Sequence, residues 1–126
     1  MSTVIPIIET YKSSNHSVCI PKIQEWIDTN SYFIRQDLVW NIGLTNAENL
    51  INVESIVRQD ITCKHWKYWR ADCFKDAMQT IRQLNRAHYV IKSDFNNYLL
   101  KGSYVFIYKT MVPRNSRLFH TLHCKL

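Results

Sequence analysis

Lys64, Lys67, Lys75, Arg82 and Arg86 recur through one stretch, KHWKYWRADCFKDAMQTIRQLNRAH, and cations at such intervals along a helix can track a phosphate backbone. Tyr68, set beside Lys64 and Lys75, offers a ring on which an unpaired base can stack. On a helical wheel of about 100° per residue these cations gather on one side. Trp66, Trp69, Cys73, Ala77, Thr80, Ile81 and Leu84 gather on the other, with Phe74 at the edge, and Gln79, Gln83, Asp72 and Asp76 separate the two. The pattern predicts an amphipathic helix from Lys64 to His88, capped by Thr62, with its tryptophans inward and its cations in water. A break at Ala71-Asp72, with Asp72 capping a second helix, would keep the same two faces. A charged helix face is commonly solvated and nothing more. What favours an anionic partner here is sign: no carboxylate lies within the ridge.

The charge of the whole chain is unevenly placed. Residues 1–63 carry four basic side chains against seven acidic, a net of −3, and residues 64–126 carry twelve against three, a net of +9. The overall +6 therefore belongs to the second half. Such a field attracts nucleic acid, an anionic membrane or an acidic protein, and alone does not choose among them.

Other chemistries are less well supplied. Cys63-x-His65, Cys73 and His120-x-x-His123-Cys124 bring zinc-type ligands, but no CxxC pair or finger spacing accompanies them. Buried thiols and surface imidazoles account for them, so no metal and no cofactor is expected. Four cysteines in 126 residues do not make a disulfide scaffold. Asp28, Asp37, Asp60, Asp72, Asp76 and Asp94 are dispersed, and two glycines cannot build a phosphate-binding loop. The sole nucleophile–base pairing on offer, Cys63 with His65, reads as coincidence. The chain is expected not to be an enzyme.

The elements that must position the ridge read as follows. TVIPIIET (3–10) is an edge strand or extended arm, Ser17–Ile20 a short strand, and PKIQEWIDT a helix opened by Pro21 and burying Ile23, Trp26 and Ile27. YFIRQDLVWNIGL is a helix or strand-to-helix passage with Phe33, Ile34, Leu38 and Ile42 inward and Gly43 as its stop. Thr45 to Glu48 forms a capping box for a helix to about Arg58 that buries Leu50, Val53, Ile56 and Val57. HYVIK is a strand, DFNNYLLK a brief helix capped by Ser93 and closed by Gly102 in a left-handed turn. SYVFIYKTMV is the clearest strand, with Val105 and Ile107 facing one way and Tyr104, Phe106 and Tyr108 the other. The tail RNSRLFHTLHCKL adds Arg114, Arg117 and Lys125 and docks through Leu118, Phe119 and Leu122.

Residues 32–51, with Phe33, Asp37, Gly43, Leu44 and Asn46 in an aromatic, acidic, glycine-turn and asparagine order, resemble the beginning of the BRO-N and KilA-N type domains of large DNA viruses and phages. The resemblance covers about a sixth of the chain and implies an α+β module that binds DNA. The helix after Thr45 carries Glu48 and Glu54 against Arg58, a poor reader of phosphates, so the later ridge would supply the contacts.

Together these features predict a single domain over residues 1–126, an α+β fold with helices packed against a small, mainly antiparallel sheet. The expected role is a non-catalytic nucleic-acid-binding module, DNA or RNA, of the kind a viral or phage regulator uses. The alternative is a small interaction or inhibitor protein that docks on an acidic protein or self-associates as a homo-oligomer. No window has the roughly 18 apolar residues of a bilayer span, and MSTVIPIIET has no basic signal-peptide region, so no membrane partner and an intracellular location, cytoplasmic or nuclear in a host cell, are expected.

Overall fold

The protein is described from a computed structural model, which covers residues 13–31, 38–87 and 89–111. Helix α1 (His16–Asn30) leads to strand β1 (Leu38–Thr45), helix α2 (Ala47–Gln59), strand β2 (Cys63–Arg70) and helix α3 (Phe74–Leu84). A short strand β3 (Val90–Lys92), a 3-10 turn (Tyr98–Leu100) and strand β4 (Tyr104–Met111) follow. This is an α+β fold of helices on a four-stranded mixed sheet in the order β2-β4-β1-β3. β4 runs antiparallel to both β2 and β1, while β3 lies parallel to β1. The expected architecture, helices against a small and mainly antiparallel sheet, is the one observed.

Alternation along β4 divides the molecule into layers. Val105 and Ile107 point to the side covered by α1 and α3, where Cys19, Ile23, Ile27, Ala77, Ile81 and Leu84 complete a core. Tyr104, Phe106 and Tyr108 point to the side covered by Leu50, Val53 and Val57 of α2. Both faces of β4 are thus buried, as its sequence predicts. The Tyr108 hydroxyl meets Ser93 Oγ at 2.6 Å, and burial pushes its pKa up to about 12. In β1, Trp40, Ile42 and Leu44 share the α1/α3 side, whereas Val39, Asn41, Gly43 and Thr45 face α2.

Several expectations need correction. Residues 17–20 are helical, because α1 already starts at His16, where Asn15 accepts from the Val18 amide at 3.1 Å. Pro21 consequently lies inside α1 and costs it one backbone hydrogen bond. Residues 38–45 form a strand throughout rather than the expected helix or strand-to-helix passage, and Gly43 is no stop. A Cβ there would stand 2.7 Å from the Phe106 ring and 3.0 Å from Asn96, so glycine serves close packing in mid-strand. The cap of α2 is Asn46, which accepts from the Asn49 amide at 2.8 Å, one residue later than the predicted Thr45. Ile56 is 51% exposed instead of buried. Residues 94–101 hold only the 3-10 turn, and its left-handed residue is Lys101 (φ 49°), not Gly102. Gly102 is needed for another reason: a Cβ would collide with the Thr45 backbone at 2.1 Å. The N-terminal arm, Phe33, Ile34 and the C-terminal tail lie outside the described residues.

Candidate nucleic-acid interface

The stretch that carries the cations is a strand, a turn and a helix. Residues 63–70 pair with β4, Ala71 to Cys73 turn the chain, and α3 begins at Phe74 with Cys73 at the cap position. The break falls where the sequence allows one, but the residues before it are extended. Neither Thr62 nor Asp72 caps a helix; Thr62 donates instead to Asp60 through its amide and hydroxyl.

A bulge explains why a strand carries helical spacing. Lys64 lies opposite Lys109 and Lys67 opposite Ile107, so His65 and Trp66 together oppose Tyr108. His65 takes a left-handed backbone (φ 58°), the conformation a bulge of this kind requires and one that side chains other than glycine adopt infrequently. The extra residue restores Lys64 and Lys67, three apart, to one side of the sheet. Ordinary strand alternation from Trp66 onward separates the two tryptophans, which the wheel places together. Trp66 stacks on Phe106 at 5.5 Å on the α2 side, and Trp69 meets Trp26 at 5.8 Å on the α1 side.

The predicted site residues therefore form two groups. Lys64 and Lys67 are exposed on β2, and Lys75 and Arg82 are exposed on the outward side of α3, opposite Ala77, Thr80, Ile81 and Leu84. Arg86 is exposed in the turn after α3. Helix α1 neighbours both groups, touching β2 through Trp26 and α3 through His16, whose Nδ1 lies 2.7 Å from Asp76 Oδ1. One continuous helical ridge does not exist. Tyr68 is not beside the lysines: it is half-buried, faces α2 opposite Phe106, and lies 6.3 Å from the Tyr104 ring. Among the described residues, none of Lys64, Lys67, Lys75, Arg82 and Arg86 is paired with a carboxylate.

What surrounds Lys67 was not legible in the sequence. Lys22, Glu25, Trp26 and Thr29 of α1 face Lys67 and Trp69 of β2 across a cleft of about 360 Å³. A second cleft of about 270 Å³ shares Lys22, Lys67 and Trp69 and extends past Ser14, Cys19, Tyr68 and Arg70. Trp26, Trp40, Trp69 and His65 form an aromatic cluster behind it, with Trp26 edge-on to Trp40 at 5.2 Å and His65 6.2 Å from Trp40. Beneath lies Lys109, whose Nζ is 4.9 Å from the centre of the Trp40 ring. Burial, reinforced by Lys64, lowers the Lys109 pKa; burial, followed by Lys109 and Lys64, lowers that of His65. Both groups thus feel a positive local field. Lys22, from the acidic half of the chain, was missed because its partners are more than forty residues away in sequence, and tertiary packing alone brings them together.

The candidate metal and thiol residues lie only in part among the described residues. Among the described residues no three His, Cys, Asp or Glu side chains come together as a metal site; His120, His123 and Cys124 lie outside them. Cys73 is exposed instead of inward. Cys63 packs on the α2 side while His65 faces the tryptophans on the other, so the pair does not meet. Burial and then Asp60 push the Cys63 thiol pKa up, which disfavours the thiolate. No helix among the described residues is long and apolar enough to cross a membrane.

Of the residues carrying the resemblance to BRO-N and KilA-N domains, Gly43 and Leu44 lie in β1 and Asn46 caps α2, while Phe33 and Asp37 are outside the described residues. Compared with protein-family models, curated proteins and solved structures, the chain matches none of them.

Proposed function

We propose that this protein is a non-catalytic nucleic-acid-binding module whose phosphate contacts come from Lys64 and Lys67 on β2, joined by Lys22 of α1, with Lys75, Arg82 and Arg86 as a second, outer set. The observation that carries the reading is the meeting of Lys22 and Lys67 around Trp26 and Trp69, with Lys64 along the same strand. Cations without carboxylate partners among the described residues, set beside aromatic rings, supply both terms that nucleic-acid binding uses: backbone charge and a surface for bases. Among the described residues, Glu25 is the one acidic side chain lining that cleft.

The test is binding of the full chain to labelled DNA and RNA at increasing salt. Affinity should fall steeply with salt, and the Lys22→Glu/Lys67→Glu variant should weaken it about ten-fold or more. Reversing Lys75 and Arg82 should have a smaller effect, since no aromatic surface accompanies them. Binding indifferent to salt and to both sets would defeat the proposal. An acidic protein that co-purifies after nuclease treatment, with no shift of labelled DNA or RNA, would replace it with the partner-docking alternative.

A further inference from the structure

We infer that the cleft between α1 and β2 is shaped for a single, unpaired strand of nucleic acid, which runs past Lys22 and Lys67 and lays a base against Trp26 and Trp69. The inference rests on the reading above and narrows its ligand.

The shape of the site decides between single strand and duplex. Proteins that read duplex DNA usually insert a projecting helix or ribbon into a groove. Here the aromatic surface is recessed between a helix and an edge strand, with Trp26 and Trp69 half-buried and their rings nearly perpendicular at 80°. A base held in a duplex stack cannot reach such a recess, whereas one that has left its stack can. The two clefts share Lys22, Lys67 and Trp69, which makes a trough rather than a closed pocket. A trough suits a chain that passes through; a mononucleotide would be better served by an enclosure.

The floor of the trough is also buried and hydrogen-bonded. Trp40 is buried beneath Trp26, and Lys109, itself buried, is held by the Asn30 carbonyl at 2.7 Å. A stacking platform that is already ordered loses little entropy when a base arrives. Lys64 extends the positive edge along β2, where the bulge keeps it on the same side as Lys67.

The experiment compares a labelled mixed-sequence single strand with the same strand annealed to its complement, using the full chain at low salt. The expected result is at least about ten-fold tighter binding of the single strand, with quenching of tryptophan fluorescence. Trp69→Leu should cost the single strand about ten-fold and leave residual duplex binding unchanged, while Trp69→Phe retains most of the affinity. Lys22→Glu/Lys67→Glu, which removes no packing, should weaken single-strand binding without altering the thermal melt. Equal affinity for both forms with no quenching, or indifference to Trp69→Leu, overturns the single-strand inference and leaves the broader reading standing. Poly-glutamate competing as well as the single strand at matched charge also overturns it, in favour of an acidic protein. No binding to either form removes both.

Discussion

Lys109 of β4 donates through Nζ to the carbonyl oxygen of Asn30, 2.7 Å away, and so closes the C-terminal end of α1 with a cation from the sheet. The last turn of α1 holds no basic residue of its own, and a positive charge at that end favours the helix dipole. The contact also ties the end of α1, the helix that forms one wall of the cleft, to β4. Lys109 is 7% exposed, and its ammonium lies over the Trp40 ring as well as against the carbonyl.

Replacing Lys109 by Met keeps the volume and removes the donor. The expected loss is about 1–3 kcal/mol, the range for a hydrogen bond from a charged group or a buried carbonyl left unsatisfied. Denaturant unfolding at neutral pH measures it. A variant as stable as the parent would show that shedding the ammonium's burial offsets the lost bond, and that Lys109 does not anchor α1.

His16 and Asp76 couple the other end of α1 to α3. The Asp76 carboxylate accepts the His16 amide at 3.2 Å and faces His16 Nδ1 at 2.7 Å, where the N-terminal ends of two helices meet. The side-chain contact with His16, then its amide, holds the Asp76 pKa below its ordinary 3.8. A lowered carboxylate pKa contributes stability that is present above 3.8 and is lost as pH falls through the lower folded value. Asp76→Asn should therefore melt below the parent at pH 7, with the gap closing in acid below pH 3.8. A gap that stays constant down to pH 2 would rule out the charge as its cause.

Gly43→Ala places a methyl group against Phe106, which is fully buried and stacked with Trp66 and Tyr108. Overpacking at such a site costs about 1–3 kcal/mol. Shortening the obstacle in Gly43→Ala/Phe106→Leu should make the two changes less than additive in a double-mutant cycle. Strict additivity would mean that Asn96, not the ring, is what Gly43 accommodates.

The parts of the fold that were legible are those with an unambiguous period. β4 alternates with aromatic and β-branched residues, and α2 repeats Leu50, Val53 and Val57 at helical intervals. β1 was misread because both its faces are covered. LVWNIGL then carries no polar side to distinguish a buried strand from a buried helix. β2 was misread for a subtler reason. Its bulge at His65 and Trp66 inserts one residue into a period of two, so the lysines recur at an interval of three, which a helical wheel accepts. Lys64 and Lys67 do share a side, but the rest of the ridge does not join them. The cleft itself escaped because Lys22 and Trp26 meet Lys67 and Trp69 only through packing between distant elements.

The place of β4 has a consequence for how the chain acquires its shape. β1, β2 and β3 all run in one direction, yet β1 and β2 are not neighbours; the last of the described strands fills the gap between them. Until that segment leaves the ribosome, β2 lacks its described partner strand, and the pieces that carry Trp26 and Trp69 are tied through Ser14, whose amide donates to the Arg70 carbonyl and whose carbonyl accepts from the Asp72 amide. Completion of the sheet must wait for a partner distant in sequence, and pairings of that kind form slowly. The aromatic trough is therefore completed only when that strand takes its place between β1 and β2.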